Sequence, residues 1–215
     1  MPDRVPDPAR IRRLPEKAVD DRSDIEAILD EGFVCHVAYP VGKRPVVVPT
    51  LYVRHRDAVL LHGSPASGIA MAAKRHSPLS VAVTLVDQIV VARSGFESSI
   101  NYRSVVIHGE GRLLEGAEHE HALDRLVEGL IPGRLADIRR PTARELASTA
   151  VVSLPIDVVS AKVSVGPPED AEADIGTGVW AGVIPLRVSY GPPVPAPDLE
   201  AEVDTPDYLT GFRRS

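Results

Sequence analysis

The chain has 215 residues, with 24 basic and 30 acidic side chains and a formal charge of −6 that argues against a general nucleic-acid binder. Hydrophobic residues make up 44%, enough to bury one core without disulfide staples, and the lone cysteine, Cys35, excludes an internal disulfide and any multi-cysteine zinc or iron–sulfur site. No run approaches ~18 apolar residues and the N-terminus carries no apolar stretch, so neither a membrane span nor a secretory signal is expected and the reading is cytoplasmic.

Prolines crowd both ends. Pro2, Pro6, Pro8 and Pro15 come before the first helix, and Pro192, Pro193, Pro195, Pro197 and Pro206 close the chain. Proline fixes φ and removes a donor, so residues 1–21 are expected to be an extended arm, 22–190 the folded domain and 191–215 a Pro-rich tail. Ser23 and Glu26 suggest a capping box for a helix whose apolar stripe is Ile25, Ile28 and Leu29, with Gly32 as its stop. Strands are predicted at Phe33–Tyr39, Pro45–Val53 and Ala58–His62. Pro49 inside the second suggests a bulge, an edge, or a place where a ligand replaces the neighbouring strand. A short helix follows at Ser67–Arg75. Leu79–Val86 and Ile89–Arg93 read as a hairpin around Asp87-Gln88, and Tyr102–Leu114 as a long strand with Gly109 and Gly111 as bend points. Glu118–Leu130 predicts a helix with Ala122, Leu123, Leu126, Val127 and Leu130 on one face, and Thr142–Ala147 another. Strands at Val151–Leu154 and Val158–Val165 finish the set. Strands joined by hairpins with few helices between them predict a mainly β fold, an antiparallel barrel with peripheral helices.

No nucleophile elbow, Walker loop, dinucleotide glycine motif or zincin helix is present. His119 and His121 lie two apart on a predicted helix and do not share a face, so no metal site is expected. Three stretches hold polar groups where a ligand could use them. In the first, Leu60-Leu61-His62-Gly63-Ser64-Pro65-Ala66-Ser67-Gly68, a strand ends in small and hydroxyl residues that open a helix carrying Lys74. Helix-terminal amides favour an anion, and Ser64 and Ser67 add hydroxyls, although a serine there also caps a helix with no ligand at all. Lys74, two turns on, reaches a phosphate only if it folds back. The second stretch holds Asn101, Arg103 and Ser104 at a strand start, where Arg103 suits a phosphate or carboxylate or is simply a surface arginine. The third, Trp180-Ala181-Gly182-Val183-Ile184-Pro185, holds the single tryptophan.

These stretches, in this order, with the Pro45–Thr50 strand and Gly109, resemble the FMN-binding split-barrel superfamily, in particular its pyridoxamine 5′-phosphate oxidase-like flavin-nucleotide-binding and nitroimidazole-reductase-like members. The resemblance covers residues 22–187. It implies a six-stranded antiparallel split barrel and a homodimer with FMN in the groove between subunits. It further implies that Val47, Val48, Pro49 and Thr50 lie along the flavin ring, and that His62, Gly63, Ser64 and Ser67 sit near the ribityl chain and phosphate. Arg103 or Lys74 would neutralise the phosphate, Ser104 would take the place of a polar flavin contact, and Trp180 would lie near the flavin. His62 is then the nearest titratable group and the one candidate for a catalytic role. Where relatives place basic residues at the start of the helix, this chain has Ser67 and Gly68. The segment Leu186-Arg187-Val188-Ser189-Tyr190 holds no histidine for a substrate phosphate, so true pyridoxamine 5′-phosphate oxidase activity is not expected.

The reading is an FMN-dependent oxidoreductase of a small organic substrate, because a flavin carries its own redox chemistry and asks the protein only for binding and electrostatics. Two alternatives stand beside it. One is a non-catalytic module for a flavin, a deazaflavin or haem, with His36 or His62 as axial ligand. The other is a ligand-free dimer kept for interaction, which the small number of aromatic residues favours.

Overall fold

The computed structural model describes residues 8–200 and 202–212. The expected arm therefore falls partly outside them, as do Pro2 and Pro6. What is described of it is not free. A 3-10 turn at Pro15–Lys17 leads into β1 (Ala18–Val19), which pairs with β9 (Val158–Ser164). Helix α1 (Arg22–Glu31) follows, then β2 (Val34–Val41), β3 (Arg44–His55), β4 (Ala58–Gly63) and α2 (Gly68–Lys74). Beyond these come β5 (Pro78–Val91), β6 (Ser99–Glu110), β7 (Arg112–Leu113), α3 (Gly116–Leu130), α4 (Ala143–Ser148), β8 (Ala150–Pro155) and, after β9, β10 (Gly182–Pro185).

All strands join one antiparallel sheet in the order β1-β9-β6-β5-β2-β3-β4-β8-β7, with β10 on β5. Its two ends are not hydrogen-bonded to each other, which is a split barrel. Ten strands stand where the resemblance implied six: seven longer ones and three short pairings at β1, β7 and β10 that are too brief to show a period-2 pattern. Alternate residues along the strands fill the interior. Cys35, Val37, Val59, Leu61, Val81, Val83, Val105, Ile107 and Leu154 form one buried cluster with Ile28 and Leu29 of α1 and Ile69 of α2. The Tyr52 hydroxyl donates to the Leu29 carbonyl at 2.6 Å and ties α1 to β3.

Several local expectations change. Helix α1 is capped by Asp21, which accepts from the Ser23 amide at 2.8 Å, while Glu26 is drawn to Arg22 of the same helix. The hairpin at Asp87-Gln88 is instead a bulge inside one long strand, β5, whose register against β6 shifts between Val86 and Gln88. An acidic-amide pair reads as a turn, but β6 pairs on both sides of it and carries the strand through. The long strand after Tyr102 does break at Gly111, where an added Cβ would lie 2.6 Å from Val152. Pro49 makes no bulge. It pairs with His36 of β2, and β4 reaches only Tyr52–His55, so no neighbour on that edge asks residue 49 for a donor.

Cys35 is fully buried, and burial pushes its thiol up to about 12. We expect no reaction with a disulfide reagent at pH 8 in the folded protein and full reaction after unfolding, read by thiol titration with and without denaturant.

Candidate functional site

The outer face of β3 passes from covered to open along its length. Val53 and His55 are roofed by α3. Leu51 lines a cavity beside that helix. Pro49 and Val47 face outward past it, with Val47 59% exposed. Alternation explains the progression, since these residues are two apart and share one side of the sheet.

Helix α3 packs through Ala122 and Leu126 against Val53, Leu60, Leu114 and Val151. It can lie close because Gly129 has no side chain; a Cβ there would sit 2.4 Å from a Val53 methyl. The rest of its apolar stripe runs past this cluster: Leu123 still packs against it, and Val127 and Leu130 continue beyond it. With Leu51, Leu135, Ile138 and Pro141 it walls a cavity of about 550 Å³. One imidazole, His62, enters this apolar space from the end of β4. At the rim Arg139 holds Glu145 through contacts of 2.8 and 2.6 Å, and Arg140 holds Asp124 at 2.7 and 2.8 Å. The C-terminal tail braces this wall. Tyr208 accepts from Arg134 at 2.8 Å and donates to Asp137 at 2.6 Å, and its ring lies against Gly133, whose φ is +86°.

The residues expected along a flavin divide between two faces. Val47 and Pro49 are on the outer face, and across the sheet so are His36, Ala82, Val106 and, one row on, Ser104. Val48 and Thr50 pair with Val37 and Cys35 and turn inward. Arg103 also turns inward, on the side of buried Val105. Its guanidinium meets Asp87 at 3.0 and 2.7 Å and Glu31 at 2.8 Å. These two carboxylates hold it firmly protonated and give the cluster a net negative charge, so a phosphate there would meet anions first. A neighbouring polar pocket is built from buried Asn101, which donates to Gln88 at 2.7 Å and to the Gly166 carbonyl at 2.8 Å.

Gly63 and Ser64 end β4. Ser67 caps α2 by accepting from the Ala70 amide at 3.3 Å. Lys74 does fold back, to 3.5 Å from the Pro65 carbonyl. Tyr39 of β2 stands over the start of α2 so closely that a Cβ on Gly68 would overlap its hydroxyl, which gives Gly68 a packing reason in place of a basic residue. Trp180 is 65% exposed and lies over Gly182, next to the β5–β10 pairing. The loop before it is anchored by Asp170, which accepts from the Arg93 amide and guanidinium, both at 2.6 Å. His119 and His121 do not converge, and among the described residues no three metal-ligating side chains do. His121 instead stacks edge-on against His55, with ring centroids 5.7 Å apart.

The cavity's lining was hidden in the sequence, because Ala122, Leu123, Leu126, Val127 and Leu130 read as one face of a helix and nothing local marks Arg139 or Arg140. The one available signal was a stripe wider than a single packing contact needs.

Residues 21–163 match the family model described as pyridoxamine 5′-phosphate oxidase. The chain belongs to that family. No curated protein sequence matches it. The chain is similar to the FAD and haem binding protein from Mycobacterium smegmatis, with 38% identity, 91% of this chain and 96% of that one covered, and a TM-score of 0.87. It is similar also to the flavocytochrome Anf3 from Azotobacter vinelandii, with 36% identity, 98% of each chain covered and a TM-score of 0.92. A candidate 5-nitroimidazole antibiotic resistance protein from Bacteroides thetaiotaomicron shares the fold at 22% identity and a TM-score of 0.57, over 68% of this chain and 86% of that one. No helix among the described residues is long and apolar enough to cross a membrane.

Two outcomes test this geometry. Gly129→Val places a branched side chain against Val53, and we expect a loss of about 1–3 kcal/mol by urea denaturation. His55 is held below its ordinary 6.5, first by burial and then by Arg56, His121, Arg125 and Arg54. Folding therefore favours its neutral form, so this contribution is full above pH 6.5 and is lost as pH falls through the lowered value. His55→Gln should flatten the fall in melting temperature between pH 7 and pH 5.

Proposed function

We propose that this family member binds a flavin and a haem and works as an oxidoreductase between them and a small substrate. The observation that carries the haem half is the α3 cavity. Its volume lies within the roughly 300–1,000 Å³ of small-molecule sites, most of its wall is aliphatic below a charged rim, and a single imidazole enters it. A flat apolar macrocycle needing one nitrogen ligand fits that donor set, and His62 would supply that nitrogen. His36 lies instead on the open outer face, paired with Pro49. The fit extends the alternative of a haem module from a guess about two histidines to a choice of one.

The flavin half is supported by the outer face beside the cavity, where Val47, Pro49 and Ser104 supply apolar and hydroxyl contacts. The FAD and haem binding of the relative at 38% identity favours FAD over the FMN expected from the sequence. Exposed Val34, Val47 and Val86 would be covered by a second copy in a homodimer, as the resemblance implied. Bound, the two groups would supply hydride and single-electron chemistry. The chain's own part is to exclude water with Leu51, Leu123 and Leu126, to ligate through His62, and to hold both sites against one strand, β3. Arg103 is left to α1 and β5, where its carboxylate partners already hold it.

The test is an absorption spectrum of the purified full chain reconstituted with FAD, with FMN and with haemin, followed by desalting and chromatography of the released cofactor. We expect retained flavin bands and a Soret band. His62→Ala should lose the Soret band and keep the flavin. Retention of both by that variant would move the axial ligand away from His62, and retention of neither by the wild type would overturn the assignment.

A further inference from the structure

The rim of the α3 cavity carries two successive arginines on the loop after α3, Arg139 and Arg140, both lining the space and both largely exposed. A guanidinium presents a planar fork that fits a carboxylate two bonds at a time. Each fork already grips a carboxylate of this chain that also lines the cavity. Glu145 offers both oxygens to Arg139, and Asp124 offers both to Arg140. The wall below this rim is apolar, so nothing deeper in the cavity competes for charge.

We propose that Arg139 and Arg140 are a clamp for the two carboxylates at one edge of the cavity's ligand, and that Asp124 and Glu145 are built-in competitors that hold the clamp until a ligand carboxylate replaces them. This rests on the haem reading of the cavity, and it assigns the specificity of that site to the acid groups of the macrocycle.

The competitors have different attachments. Glu145 also accepts from the Thr142 amide at 2.7 Å in the capping box of α4, so releasing Arg139 leaves it a partner. Asp124 stands on α3, where Arg140 also approaches Glu120 at 3.9 Å. Arg139 and the Thr142 contacts hold the Glu145 carboxyl down to about 2, so it stays charged at any working pH and yields by exchange of partners, not by protonation. The exchange trades one charge-assisted pair for another, so the net gain comes from removing the competitor as much as from adding the ligand.

The experiment titrates the full chain with haemin and with haemin dimethyl ester, whose acid groups are blocked, and follows the Soret band. For Arg139→Gln and Arg140→Gln we expect haemin to bind roughly tenfold or more weakly, the scale of one lost charged contact, with the ester unaffected. For Glu145→Gln, which keeps the α4 cap, and Asp124→Asn we expect tighter haemin binding and an unchanged ester. Equal weakening of acid and ester by the arginine variants, or no tightening by the carboxylate variants, overturns the clamp while leaving the cavity assignment standing. A wild-type chain that gives no saturable Soret band with either compound overturns the cavity assignment and the clamp with it.

Discussion

The contact of Gly129 with Val53 governs how close α3 can lie to the sheet, and with it the existence of the cavity. A helix seated there by Ala122, Leu126 and the flank of Leu123 leaves the remainder of its stripe, Val127 and Leu130, outside that buried cluster. The loop from Ile131 to Pro141 comes back over that remainder with Leu135 and Ile138, and Tyr208 from the tail holds the loop in place. Apolar surface that a tighter fold would bury against strands is thereby turned around a space. The hydrophobic effect that stabilises the helix also prepares a ligand site.

The strand under this helix links the two halves of the proposed function. The outer face of β3 meets the helix at its C-terminal end, the cavity in its middle and an open sheet surface at Val47. A macrocycle against Leu51 and a flavin against Pro49 would be neighbours, because residues two apart in a strand are separated by only about 7 Å. Pro49 suits this stretch. On an unpaired edge it denies a donor to any approaching strand and leaves its face to ligands or to a second subunit.

The barrel class, the α1 core stripe, the Ser67 cap and the bend at Gly111 were legible because each rests on local chemistry. His62 was legible as a chemical group but not in its setting. Alternation turns it toward α3 on the side of Leu60, just before the turn that carries Ser64 and Ser67. Arg103 was legible as a cation, yet Glu31 and Asp87, distant in sequence, decide what it touches. The family model and the two relatives confirm the resemblance that the ordered stretches carried.

The sequence by itself determined a β-rich chain with a buried interior, few helices and no local catalytic motif, because periodicity, caps and turn residues act over a few positions. Only the tertiary structure decided that Asp87 is a bulge and not a turn, that most of the α3 stripe lines a cavity, and that Arg139 and Arg140 stand at its mouth. Each of those outcomes depends on which distant element packs alongside, and packing of that kind leaves no period in the chain that makes it.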